Sequence, residues 1–203
     1  MNAMSNQKRK YMLKARAEHQ DQTRLRIVAV TSALHQEVGP ARTTVAEIAR
    51  RAGVQRLTVY NHFPDEGELF AACSSHWRAT HPYPDPAPAL AIEDPGDRLR
   101  AVLASLYGWY GANAPMVANL QRDRHLLPAL DAVLKGTMDA RLGELAQTLA
   151  AAFTTKGTRL KAARAAAALA LDFWTWRRLT EERLDDSAAA DLMVDTVQAA
   201  AGG

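Results

Sequence analysis

The chain has 203 residues, 48% hydrophobic and 23% charged, enough apolar material for one medium globular domain or two small ones sharing a core. No apolar run approaches the roughly 20 residues of a membrane span, the lone Cys73 excludes an intrachain disulfide and fits a reducing cytosol, and the charged N-terminus lacks the apolar stretch of a secretion signal. Through Phe63, eleven Lys and Arg stand against four Asp and Glu, a net of +7, whereas from Pro64 onward fourteen stand against eighteen, a net of −4.

A basic first third on a mildly acidic remainder is the footprint of a polyanion-binding head on a body with another task, with chance clustering on a solvated surface as the alternative. Helical periodicity dominates, and no run alternates with period two. Residues 1–20, with Lys8, Arg9, Lys10, Lys14 and Arg16, form a basic arm. Over 21–38, Ile27, Val30, Leu34 and Val38 recur at three- or four-residue steps and predict an amphipathic helix that Gly39-Pro40 stops. Thr44 opens the next helix as N-cap, with Glu47 in the capping-box position. Ile48, Ala49 and Ala52 give that helix an inner face, and Gly53 ends it in the left-handed conformation. A short helix over 55–62 follows, broken by Pro64. Asp65 with Glu68 caps another that reaches about residue 80. Five prolines across 81–95 read as an extended connector. Helical patterns resume over 96–113, continue after Pro115 to about 127, and then cover 128–153, 158–182 and 187–201. This is an all-α protein of about nine helices.

Residues 43–63, TTVAEIARRAGVQRLTVYNHF, raise a functional question. Two short helices around one glycine turn form the helix-turn-helix unit, whose second helix enters the DNA major groove. Ala49 and Gly53 are small where the helices approach. Ile48, Val54, Val59 and Phe63 are expected to bury against the first helix, which leaves Arg56, Leu57, Thr58, Tyr60, Asn61 and His62 facing outward. Arg56 sits where a guanidinium reaches guanine edges, and Leu57 and the Thr58 methyl suit a thymine methyl. Tyr60, His62 and the Thr44 hydroxyl suit phosphate oxygens. The bland alternative is an αα-corner with a polar outer face.

The stretch TTVAEIARRAGVQRLTVYNHFPDEGELF, together with RIVAVTSALHQEVG before it, resembles the N-terminal domain of the TetR family of bacterial transcriptional regulators, over roughly Thr23 to Trp77. The resemblance implies a three-helix DNA-binding head, a larger helical body holding a small-molecule pocket, and a homodimer. It also implies that Thr44 and the outward residues of the second helix contact phosphates and bases. Two positions depart from the family pattern. Gln55 stands where many members carry serine, which weakens the cap of the reading helix. Glu66 stands where many carry a lysine on DNA phosphate, and a carboxylate there repels it. The basic arm is placed to compensate at the adjacent backbone or minor groove.

The expected organisation is an arm over 1–20, a helix-turn-helix domain over 21–65, and a ligand-binding and dimerisation domain over 66–203. In the body, Trp77, Tyr107, Tyr110, Met116, Asn119, Met138, Phe173 and Trp174 are candidate pocket residues, against the commoner reading of such aromatics as plain core. Arg122 and His125 lie among segments expected to face them. The small residues Ala162, Ala163, Ala165, Ala166, Ala168 and Leu169, with those of 188–201, predict close helix approach and a four-helix dimer interface through the last two helices. An intramolecular packing face is the alternative. Cys73 and His76 are one turn apart, but no second ligand pair accompanies them, so no metal or cofactor is expected. Cys73 reads as a small buried residue, with redox sensing as the second reading. No nucleophile motif or phosphate-cradling loop suggests an enzyme. The sequence therefore predicts a cytoplasmic, dimeric regulator, in the sense of a repressor on a palindromic operator, released by a small molecule. A helical dimer of the same fold acting through a protein partner is the alternative.

Overall fold

The computed structural model describes residues 3–153 and 156–202, with side chains from residue 10 onward, and every regular element among them is helical. In chain order these are α1 (Ala3–Glu37), α2 (Val45–Ala52), α3 (Arg56–His62), α4 (Glu66–Thr80), α5 (Ala87–Leu90), α6 (Pro95–Asp123), α7 (Pro128–Leu134), α8 (Ala140–Phe153), α9 (Gly157–Ala170), α10 (Phe173–Glu181) and α11 (Asp186–Ala201). No helix among the described residues is long and apolar enough to cross a membrane.

Several expected boundaries move, each for a local reason. The arm and the predicted 21–38 helix are one rod of 35 residues. No Gly or Pro interrupts 5–38, and Lys, Arg, Ala, Leu, Gln and Glu favour continued helix. The side chains of Lys8 and Arg9 lie outside the described residues. On the buried side of α1, Ile27 and Leu34 are joined by Val28, Thr31 and His35, while Val38 is exposed. Pro115 does not end a helix, since α6 passes through it. Pro115 has no N–H to donate to the preceding turn. The buried Met116 and Val117 beside it pin the rod to the core, and Asn113 Nδ2 donates to the Trp109 carbonyl (2.8 Å).

The 81–95 connector contains the single turn α5. The 128–153 segment carries a π-helical turn, Lys135–Asp139, between α7 and α8. The expected 158–182 helix is broken at Leu171–Asp172, because Asp172 caps α10 by accepting from the Thr175 N–H (2.8 Å).

Packing falls into three apolar clusters. The largest joins α6 with α8 to α11, where Leu99, Leu103, Leu149, Phe173 and Val194 are nearly inaccessible. Within it, the Tyr107 hydroxyl donates to the Ala170 carbonyl (2.8 Å) and the Tyr110 hydroxyl to that of Leu171 (2.7 Å). These two bonds satisfy carbonyls at the end of α9, and burial pushes both phenols up from their ordinary range. A second cluster joins α1 to α2, α3 and α4 through Ile27, Leu34, Ile48, Val59, Phe63 and Cys73. A third, smaller one sets Phe70 of α4 against Leu130 and Leu134 of α7.

Candidate nucleic-acid interface and cavity

The α2–α3 corner is built by its caps. Thr44 Oγ1 accepts from the Glu47 N–H (3.2 Å) and starts α2. The Glu47 carboxylate does not reach back to complete a capping box. It is held instead by Arg50 (2.6 and 2.8 Å) and Arg51 (2.7 Å), whose hydrogen bonds bring it down to about 2. Gly53 then takes φ 66°, ψ 39°. Its N–H donates to the Arg50 carbonyl and that of Val54 to Ala49, the paired bonds that close a helix on a left-handed glycine.

α3 begins at Gln55, which supplies no side-chain cap. Its support comes from behind. Val59 and Phe63 are buried, Arg24 of α1 lies 4.0 Å over the Phe63 ring, and Arg24 also donates to the His62 carbonyl (2.7 Å). The opposite face is open. Arg56, Leu57, Tyr60, Asn61 and Thr44 are exposed, Thr58 and His62 half-buried. Leu57 at 65% and Tyr60 at 54% exposure are large apolar groups that the chain itself leaves uncovered. The rod of α1 runs past this face, and His19, Thr23 and Arg26 share a surface groove with Gln55 and Thr58. Glu66 is exposed at the start of α4.

The end of α6 is tied to the end of α1. Asn119 Nδ2 donates to the carbonyls of His35 (3.0 Å) and Gln36 (2.9 Å), and Arg122 donates to that of Val38 (3.2 Å). Asp123 accepts from the Ala41 N–H (2.9 Å) and from Arg122 (2.7 Å). Burial opposes the charge of Asp123, but the hydrogen bonds of Arg122 and the Ala41 amide hold its carboxyl below the usual range. Gly39, at φ 94°, fits between them, and a Cβ there would collide with both side chains. Nothing in the sequence spacing marks this clamp, because its partners lie more than 80 residues apart.

Beside the clamp, α1, α4, α6 and α7 line a narrow, partly open cavity with about 40 Å³ of room for the centres of water-sized molecules. His35, Phe70, Trp77, Met116, Leu134 and Met138 are among its walls. Burial drives His35 down to about 4, only partly opposed by the Asp123 charge, so the imidazole is neutral near pH 7. Cys73, on the same wall, is pushed up to about 12 by burial and stays a thiol. A second narrow cavity, with about 30 Å³ of such room, adjoins, sharing Tyr83 and Met138 with the first and adding Tyr110 and Arg141.

Of the expected pocket residues, Trp77, Met116 and Met138 thus meet in one cavity and Tyr110 in its neighbour. The others do not. Tyr107 and Phe173 are core, with Phe173 edge-on to Tyr110. Trp174 is 46% exposed on the outer side of α10. Asn119 and Arg122 belong to the clamp, and His125 is exposed. Sequence reasoning missed His35 and Phe70, whose helical spacing reads the same in core and in a cavity wall, while Trp109, one of the aromatics gathered on the body helices, does line the cavity.

Two short helices about a left-handed glycine, the second with its outer face bare, define a helix-turn-helix regulator of transcription. Residues 27–73 match the family model for bacterial regulatory proteins of the tetR family. That stretch, which spans α2 and α3 and parts of α1 and α4, carries the N-terminal domain of the family. It is 28% identical to the HTH-type transcriptional regulator BetI of Burkholderia ambifaria over 86% of its own length and 91% of that protein's. Among solved structures, it shares the fold of a TetR-like transcriptional regulator from Rhodococcus sp. RHA1 (TM-score 0.60, 20% identity, 89% of this chain and 96% of that one). It shares it also with NalD of Pseudomonas aeruginosa, a secondary repressor of a multidrug efflux pump (TM-score 0.56, 21% identity, 88% and 95%). These relatives are transcriptional regulators, not enzymes.

Proposed function

We propose that the protein is a cytoplasmic, ligand-responsive repressor that binds a palindromic operator as a homodimer. The observation that carries the DNA reading is the open face of α3. In this reading Arg56 and Leu57 address base edges, Thr58 and Asn61 assist them, and Tyr60, His62 and Thr44 hold phosphates. The rod of α1 supplies further positive charge alongside. The division of labour runs near residue 65, with the reading head before it and the dimer function and most of the cavity wall after it, Ser32 and His35 of α1 joining that wall.

The dimer is formed through α9 and α11 rather than the last two helices, α10 and α11, and without Ala163 and Ala166, which pack inside the chain. Ala162, Ala165 and Leu169 lie at three- and four-residue steps on α9 and are exposed, Leu169 at 59%, and Leu192 on α11 is 44% exposed. Two such helices from each subunit make a four-helix bundle and set two copies of α3 for two half-sites. An effector in the α1–α4–α6–α7 cavity releases DNA by favouring one separation of the reading helices over the other.

Selection of bound duplexes from a randomised pool, with Arg56→Ala alongside, tests this. The expected result is a palindrome whose preference relaxes at one position in the variant, at a cost of about 1–3 kcal/mol. Affinity should fall about a thousandfold or more between 50 and 200 mM salt if six or more phosphates are neutralised. A folded dimer that enriches nothing at low salt would refute DNA reading and turn attention to a protein partner.

A further inference from the structure

We infer that the cavity between α1, α4, α6 and α7 takes a planar, largely apolar anion of the aromatic carboxylate kind, an inference that rests on the ligand-responsive reading above.

The walls set the apolar part. Phe70, Met116, Leu120, Leu130 and Met138 offer flat or adaptable surface. The polar part follows from donors left without acceptors. Trp77 and Trp109 both line the cavity, and each indole N–H is fully buried with no hydrogen-bond partner among the described residues. An unmatched buried donor is costly, and a small turn of either indole toward the cavity would let an acceptor oxygen of a ligand take its N–H.

The sign of the charge follows from who is present. No Asp or Glu lines the cavity. Arg78 does, and its Nε donates to the Ser74 carbonyl (3.3 Å), leaving the terminal amino groups unpaired among the described residues. The other basic group on the wall, His35, is neutral near pH 7. Aromatic faces alone would also suit an organic cation. A cation here would meet Arg78 with no carboxylate to balance it, whereas an anion gains a charge-assisted bond from the guanidinium and neutral ones from the indoles.

Calorimetric titration with three probes of one shape tests the inference: 2-naphthoate, 2-naphthylmethanol and 2-naphthylmethylammonium. Naphthoate should bind at least about tenfold tighter than the other two, the scale of one charge-assisted bond. Arg78→Gln should erase that preference and Arg78→Lys keep most of it. Trp77→Phe and Trp109→Phe should each weaken naphthoate several-fold while leaving the alcohol less affected, which a mere packing role would not do. Equal or tighter binding of the ammonium, or binding of none of the three, would overturn the inference. Anisotropy of a selected operator duplex in the same titrations separates the two readings. Naphthoate that binds through Arg78 without changing DNA affinity upholds the ligand class and sinks the regulatory role of the cavity. An ammonium that binds and releases DNA does the reverse.

Discussion

The α2–α3 corner and the body solve opposite problems. In the body, α6 and α8 to α11 bury a broad continuous core, and even the tyrosine hydroxyls find carbonyls inside it. The α2–α3 corner rests on a handful of side chains on one side only, and α3 is a seven-residue helix without a side-chain cap. A helix that short does not stand by its own propensity. The contrast teaches that α3 is held by tertiary contacts from α1, so the placing of its open face is a property of Ile27, Arg24, Val59 and Phe63 more than of the outward residues proposed to read DNA.

Truncating the support of α3 should separate the two regions most sharply. Phe63→Ala is expected to cost about 3–5 kcal/mol locally. Hydrogen exchange should then show α2 and α3 open while α6 and α11 stay protected. Uniform loss of protection would mean that the two regions fold as one unit.

Acid is the next lever, because it acts at the boundary. His35 binds its proton less well folded, at about 4, than unfolded, at 6.5, so the unfolded chain takes up more protons as pH falls. Its contribution is whole above pH 6.5 and erodes on the way down to 4, by about 3 kcal/mol at most. Urea melts at pH 7, 5.5 and 4.5 should show that slope in the native chain and lose it in His35→Gln.

A smaller effect belongs to the body. Tyr110→Phe leaves the buried Leu171 carbonyl without its donor and should cost about 1–3 kcal/mol, read as a lower midpoint in urea with DNA affinity unchanged. The smallest change strengthens the corner. Gln55→Ser supplies the missing cap and should stabilise α3 by roughly 1 kcal/mol, seen as slower amide exchange in 56–62. No change in exchange would show that tertiary contacts already hold the first turn.

The same contrast explains what could be read in advance. The corner is written locally: Thr44, Gly53, Pro64 and Asp65 each act within four residues of where they stand, so caps and breaks were legible. The body is written at long range. Pro115 signals a break, yet the buried residues beside it keep α6 whole. Asp172 looks like the interior of a long helix until its cap to Thr175 is seen. Trp77 and Met138 could be named as cavity residues only alongside Tyr107 and Phe173, which fill core, because apolar spacing does not say which apolar surface faces empty space.

The clamp at the end of α6 grips main-chain atoms: the carbonyls of His35, Gln36 and Val38 and the amide of Ala41. Every residue type except proline at 41 offers those same atoms. Substitutions along the outer faces of α1 therefore leave the joint intact, and the demand for particular side chains falls on Asn119, Arg122, Asp123 and the space at Gly39. The joint behaves like a standard coupling between interchangeable parts, across which the reading surface and the cavity walls can be altered separately without being disconnected.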